Sequence, residues 1–449
     1  MPASGDPSVP RLNRLFVIAL LLANFGSNVA LIAPIQNLLP RMIEQTSGSA
    51  GKAIGLGIVT GIGALAALMF NPVAGHFSDR WLRFDNRALM VLFGLVTGTI
   101  AHVFLAYQHS IIGIAVWWSV CQATINIAYS PMSAVVVDHV DRRFWGLVWG
   151  LISVAQAVGL VIGLVAVVLV FPSTTAGMLS VAAGYGLFLI PLVVVLYRMP
   201  RVRREPAPAD GEDRRQGLIV GSLPAFRALV GGRGFTSVMI GRFLIMLAET
   251  IALLYIYYYL QDDIRYSDPG HGQLILILIA TIAAIMATVT VGRRADKSES
   301  AGYRRYAVLA SVLMAATAFA LAGLTVWTLV LVCAFTLGAG YGAFQSVSQA
   351  LSLTVLPDPS TAGRDLGILN ISYTIPQVIG APIAGVVVAY LGGYRGLFVF
   401  AALLALAAAA AFSRVPSGPS VPSLTDADLG TATSAGQSGP EARVAPTTS

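Results

Sequence analysis

The sequence predicts an all-α integral membrane protein of twelve transmembrane helices, arranged as two pseudo-symmetric six-helix bundles. Three observations carry this. Charge is too scarce to cover a water-facing surface, twelve apolar blocks have bilayer-spanning length, and the second half of the chain repeats features of the first. Of 449 residues 56% are hydrophobic and only 11% charged, whereas soluble domains carry about 25% charged residues. Lipid is therefore the expected main solvent. The net charge of +7 is distributed between apolar blocks rather than gathered in one basic patch, so nucleic acid is not an expected partner. Cys121 and Cys333 both fall inside apolar runs, which leaves neither disulfide nor metal-site spacing. No phosphate-binding G-x-x-x-x-G-K-[ST] run exists and no nucleophile–base–acid set can be drawn, so enzyme activity, a cofactor and a metal are not expected.

The apolar blocks run over 15–39, 54–74, 88–107, 111–137, 146–170, 178–197, 235–260, 271–291, 307–327, 329–356, 366–390 and 394–413. Each is long enough to cross the hydrocarbon, which takes about 20 residues. The first follows a polar stretch with Arg11 and Arg14. It is too long for a signal-peptide core and ends without a small-residue cleavage site, so it is the first span. Many blocks are rich in Gly and Ala, which let helix backbones approach closely in lipid. With both termini inside, 23 of the 28 Lys and Arg fall on the inner side, and only Arg41, Lys52, Arg265 and Arg395 fall outside. A missed helix would invert every later loop, so this asymmetry supports the count and the orientation together.

Four segments follow: a bundle over 1–197, a cytoplasmic linker over 198–233, a second bundle over 234–413 and a tail over 414–449. The linker is rich in Arg. The tail is Ser, Thr, Pro, Gly and Ala with too little apolar area to fold, and is expected to be a disordered cytoplasmic segment. Gly75, Asp79 and Arg80 recur as Gly292, Asp296 and Lys297, an offset of 217, and Arg143, Gly146, Gln156 and Gly159 recur as Arg364, Gly367, Gln377 and Gly380, an offset of 221. Both repeats occupy equivalent places in the two halves. Parallel repeats about the membrane normal place a polar path between the bundles.

At these residues the chain resembles the major facilitator superfamily over roughly residues 15–413. Gly75, Asp79, Arg80 and Arg83 are similar to its signature in the connection between helices 2 and 3, with Leu82 in place of the usual Gly. A finer resemblance is to the sucrose and glycoside–cation symporter branch. It rests on Asn126, Tyr129, Ser130, Pro131 and Asp138 in block four, and on Gly363 to Asn370 with Pro376 and Gln377 in block eleven. Gln122 and Ser133 stand where the plant-type sucrose symporters carry an acidic residue and an Arg, so proton coupling by that helix is not implied. The resemblance implies a secondary transporter working by alternating access. The preferred version is proton-coupled uptake of a neutral sugar or glycoside-like solute, and proton-coupled efflux of a drug or secondary metabolite is the alternative. A plasma-membrane location, cytoplasmic termini and a monomer partnered by solute, coupling ion and lipid are expected with it.

The chemistry-bearing residues fall into three groups. Glu249 and Arg242 lie in block seven, seven residues apart and so two turns along one face. Charges at mid-membrane cost about 2.5–3.5 kcal/mol on insertion scales and normally face a cavity or a partner. Glu249 is the expected proton-coupling group, the competing reading being a structural ion pair or hydrogen bond. Arg242 is expected to bind substrate or gate, or else to snorkel. The second group is polar at helical spacing: Asn24 and Asn28, Gln122 and Asn126, then Tyr341, Gln345 and Gln349, then Asn370, Tyr373 and Gln377. Residues three and four apart share a face, and amides both donate and accept, which suits sugar hydroxyls. Hydrogen bonding between helices is the alternative role. The third group, Gly75, Asp79, Arg80, Arg83, Asp138, Arg143 and Asp296, sits at the inner surface and forms an expected conformational latch, positive-inside anchoring being the alternative. His102, alone in block three, is a possible proton relay.

Overall fold

The computed structural model describes residues 13–81, 87–141, 144–199, 233–295, 300–355 and 362–416. Helix α1 spans Arg14–Ala33, and Asn13 caps it by accepting from the backbone N–H groups of Leu15 and Phe16. Pro34 has no N–H to give the carbonyl of Ala30 in the preceding turn, and the helix widens into a π-turn over Pro34–Leu38 before continuing. The helical run Leu39–Trp81 is broken at Gly48, whose φ of 68° suits glycine. The part after the break, 49–81, is α2. Eleven apolar helical stretches of spanning length occur among the described residues, the first of 57 residues. That first stretch crosses the Gly48 break and so holds two spans, giving twelve.

The remaining spans are α3 (Arg87–Ala106), α4 (Ile111–His139), α5 (Trp145–Val165, extended by a π-turn over Ala166–Val170) and α6 (Thr174–Arg198). In the second half lie α7 (Arg233–Leu254, with an outer continuation Ile256–Asp262), α8 (Pro269–Ala295), α9 (Ser300–Gly323), α10 (Trp327–Thr354), α11 (Ala362–Tyr390) and α12 (Gly393–Ser413). The expected block 307–327 ends early, because the chain leaves the helix at residues 324–326. The signature at Gly75, Asp79 and Arg80 was expected in a connection but lies on α2: no breaker interrupts Phe77 to Trp81, and a helix need not stop where the hydrocarbon does. Arg83, Arg143 and Asp296 lie outside the described residues, as do linker residues 200–232 and tail residues 417–449.

Packing repeats with the sequence. In the first bundle α1 packs on α5 and α6, α2 on α4, and α3 on α4 and α6; the second bundle pairs α7 with α11 and α12, α8 with α10, and α9 with α10 and α12. Between bundles α2 packs on α11 and α5 on α8, pairs that a two-fold axis exchanges. Large apolar side chains such as Ile112, Leu187 and Phe319 point outward, as lipid solvation requires.

Close approach depends on glycine. A Cβ on Gly338 would lie 2.2 Å from the Ala280 carbonyl oxygen, and one on Gly342 2.1 Å from that of Ala284. Thr288 on α8 adds a hydrogen bond to the Gly342 carbonyl at 3.0 Å. The α8–α10 contact is thus backbone on backbone. Gly342→Val is expected to push the helices apart at a cost of about 3 kcal/mol, the upper end for overpacking. Thermal melting in detergent reads this. Gly150→Ala is the control, since nothing lies within 4 Å of its added carbon, and its melting temperature should not fall.

Candidate functional site

Polar groups converge where the bundles face each other. On the first bundle, Gln156 of α5 donates to the Tyr129 hydroxyl of α4 and, at 3.2 Å, to Asn24 Oδ1 of α1. Asn24 in turn donates to the Leu20 carbonyl of its own helix at 2.9 Å. Asn28, one turn on, has a buried Oδ1 with no partner. Asn126 donates to the Gln122 carbonyl at 2.8 Å, which ties that amide nitrogen to its own helix. Gln122 is buried.

The facing group belongs to the second bundle. Glu249 is half-buried and makes no hydrogen bond or ion pair among the described residues. It lies within electrostatic range of the Tyr341 and Tyr373 hydroxyls on α10 and α11. Arg242 is not its partner. Arg242 Nη1 donates to Ser348 Oγ at 2.8 Å, to Ser352 Oγ at 3.1 Å and to the Ser348 carbonyl at 3.3 Å, all on α10. Tyr373 sits between the two, in range of both Glu249 and Arg242 and hydrogen-bonded to Gln377. It is also in range of Tyr129 across the bundle interface. A polar chain therefore runs from Asn24 through Gln156, Tyr129 and Tyr373 to Glu249. Gln345 donates to the Tyr341 hydroxyl at 3.2 Å, and Gln345, Gln349 and Gln377 are exposed. Asn370 lies on α11, Gly75, Asp79 and Arg80 on α2, and Asp138 on α4. His102 is fully buried, with its ring nitrogens 2.8 Å from the Gly98 carbonyl and 3.2 Å from that of Ala30, which makes it a tie between α3 and α1.

The interface is sealed at the face that the charge asymmetry places outside, hereafter the outer face. Lys52, 3% exposed, reaches Asp262 at 2.8 Å and Glu44 and Gln261 at 3.0 Å, and stands 4.6 Å from the centre of the Tyr258 ring. All three ammonium donors are used. Gln261 also donates to both oxygens of Glu44, and the Tyr394 hydroxyl donates to Asp262 at 2.6 Å. Further ties join Tyr255 to the Ala53 carbonyl, Tyr258 to the Pro40 carbonyl and Gln273 to Gln36. Burial pushes the neighbouring Asp263 carboxyl above the usual carboxylate range, with Arg395 opposing and Asp262 reinforcing. These hydrogen bonds between bundles draw on residues 36–53 of one and 255–273 of the other, all at the outer end. Below the seal α2 and α11 touch closely: a Cβ on Gly57 would meet the Ala381 carbonyl oxygen at 2.8 Å and one on Gly61 the Pro382 ring at 2.7 Å.

A seal at one end over a carboxylate with no partner among the described residues, between two bundles exchanged by a two-fold axis, is the anatomy of a membrane transporter. The sequence matches the Major Facilitator Superfamily over residues 15–309 and again over 238–437, and the chain belongs to that family. No curated protein sequence matches it. Solved structures share the fold at low identity. The nucleoside transporter NupG has a TM-score of 0.70 at 14% identity, covering 91% of this chain and 100% of its own. The xylose transporter XylE from E. coli, in a partially occluded inward-open conformation, has 0.66 at 13%, covering 91% and 100%. A POT family transporter in complex with 5-aminolevulinic acid has 0.67 at 12%, covering 88% and 94%.

Proposed function

We propose that this transporter couples a proton to the uptake of a hydroxyl-rich solute of sugar or glycoside type, a neutral one in the simplest case, across the plasma membrane. Both termini are placed in the cytoplasm and the working unit is a monomer. The observation that carries the reading is Glu249: one carboxylate with no hydrogen-bond or ion-pair partner among the described residues, facing two tyrosines beside a path of amides. A carboxylic group so placed exchanges a proton without first breaking a protein contact. The amides and phenols of Asn28, Gln156, Tyr129, Tyr373 and Gln377 offer donors and acceptors to hydroxyls, and tyrosine rings cover the apolar face of a sugar. The names of two relatives, a D-xylose–proton symporter and a nucleoside transporter, agree with such a solute. The outer seal releases solute inward, and the opposite latch is assigned to Asp79 and Arg80 on α2 and Asp138 on α4.

The test is direction and drive. Purified protein in sealed vesicles, given a proton gradient directed inward, is expected to concentrate labelled sugars or glycosides from a panel. Efflux of drug-like compounds against their gradient, or uptake indifferent to the gradient, refutes the reading.

A further inference from the structure

We infer that the transported solute carries one carboxylate, which docks on Arg242 while its hydroxyls meet the amides. The inference rests on the proposed proton-coupled uptake and narrows its solute class. Arg242 is 7% exposed. Among the described residues only Nη1 is engaged, and its three acceptors on Ser348 and Ser352 are neutral. Nε is buried with no partner, and Nη2 makes no hydrogen bond among the described residues. The free Nε–Nη2 edge is the fork that accepts both oxygens of a carboxylate. No carboxylate of the described residues pairs with this guanidinium. A buried cation with no anion among the described residues is suited to one brought by a ligand.

Charge balance at the site says which anion. Glu249 sits about 10 Å along the same helix face, and among the described residues the other groups in range of the pair are neutral: Tyr341, Ser348 and Ser352 on α10 and Tyr373 on α11. Empty, Glu249 and Arg242 cancel. A proton alone leaves the site at +1, and an anion alone leaves it at −1. In a medium of low dielectric both are penalised. Proton and monoanion together restore neutrality, so each binds best with the other, and this mutual dependence is the coupling. A neutral solute would gain nothing from the proton by this route. A doubly charged phosphate ester would leave a net charge.

The experiment compares matched solutes in vesicles: glucose with glucuronate, a methyl glucoside with the corresponding glucuronide, and glucose 6-phosphate. The acid members should enter at least tenfold faster than the neutral ones, and their uptake with a proton should ignore a potential imposed by potassium and valinomycin. Arg242→Gln should lower the acid-to-neutral uptake ratio about tenfold or more, the loss expected for a charge-assisted contact. Arg242→Lys should recover part of it. Preference for neutral solutes, uptake that follows the imposed potential, preference for the phosphate, or an unchanged acid-to-neutral ratio in Arg242→Gln overturns the inference. The potential test needs only wild-type protein, so it decides even if the variants misfold. Neutral solutes accumulating with the proton gradient would leave the proposed function standing and remove this one. Acids entering through Arg242 with no response to the gradient would keep the docking on Arg242 but remove both the proposed proton coupling and the charge balance argued here.

Discussion

Glu249→Gln is expected to abolish concentrative uptake while leaving exchange of solute across the membrane. Glutamine keeps the size and hydrogen-bonding shape of the protonated acid but never releases a proton. The bundles can still rock around a loaded site, so labelled solute should exchange with unlabelled solute inside preloaded vesicles. What disappears is the drive. One proton moved down one pH unit supplies about 1.4 kcal/mol, which is about a tenfold concentration ratio for one solute per proton. Wild type should approach that ratio and Glu249→Gln should stop at equal concentrations. The result is interpretable because the substitution breaks no hydrogen bond or ion pair among the described residues. Tenfold accumulation by the variant would remove Glu249 from the coupling role.

What the sequence disclosed depended on whether a signal was local. Spans were legible because a bilayer demands an unbroken apolar run, and the pairing of α2 with α4 and α8 with α10 follows once the halves are read as a repeat. Glu249 and Arg242 stood out because charge is rare in such runs. Their surroundings were not legible. The seven-residue spacing suggests a pair, yet Arg242 turns to Ser348 and Ser352, over a hundred residues away. Gln156 entered only as a repeated residue, although it joins α1, α4 and α5. Asn126 shared the right face but binds its own helix. The seal was missed for the same reason. Lys52 and Glu44 read as ordinary charges between two spans, and their partners Gln261 and Asp262 are more than 200 residues on. In hindsight the exceptions to the charge rule held the clue. Lys52 and Arg41 both sit at the outer face: Lys52 holds Asp262 across the interface and closes it, and Arg41 holds the Pro172 carbonyl within the first bundle.

Lys52→Met should therefore unlatch the outer face. Methionine keeps the length of the side chain and most of its packing on Tyr258, but leaves Glu44 and Asp262 turned toward each other with no cation between them. Removing one member of a fully buried ion pair costs about 3–5 kcal/mol. Here the carboxylates are 24% and 37% exposed, so water recovers part of that and about 2 kcal/mol remains. That cost falls on the closed state alone, because opening lets both carboxylates hydrate. It corresponds to about a 30-fold shift toward the outward-open form. Val168 on the outer end of α5 packs near Gly270 of α8 and is 7% exposed, so Val168→Cys reports opening through its reaction with a membrane-impermeant maleimide. The native Cys121 and Cys333 are buried and give a low background. The labelling rate should rise at least tenfold when Lys52→Met is added. Adding Glu44→Gln as a third change should lower it again, because the uncompensated charge that drives the opening is then halved. An unchanged labelling rate would mean that the close helix contacts at Gly57 and Gly61 hold the face shut without the ion cluster.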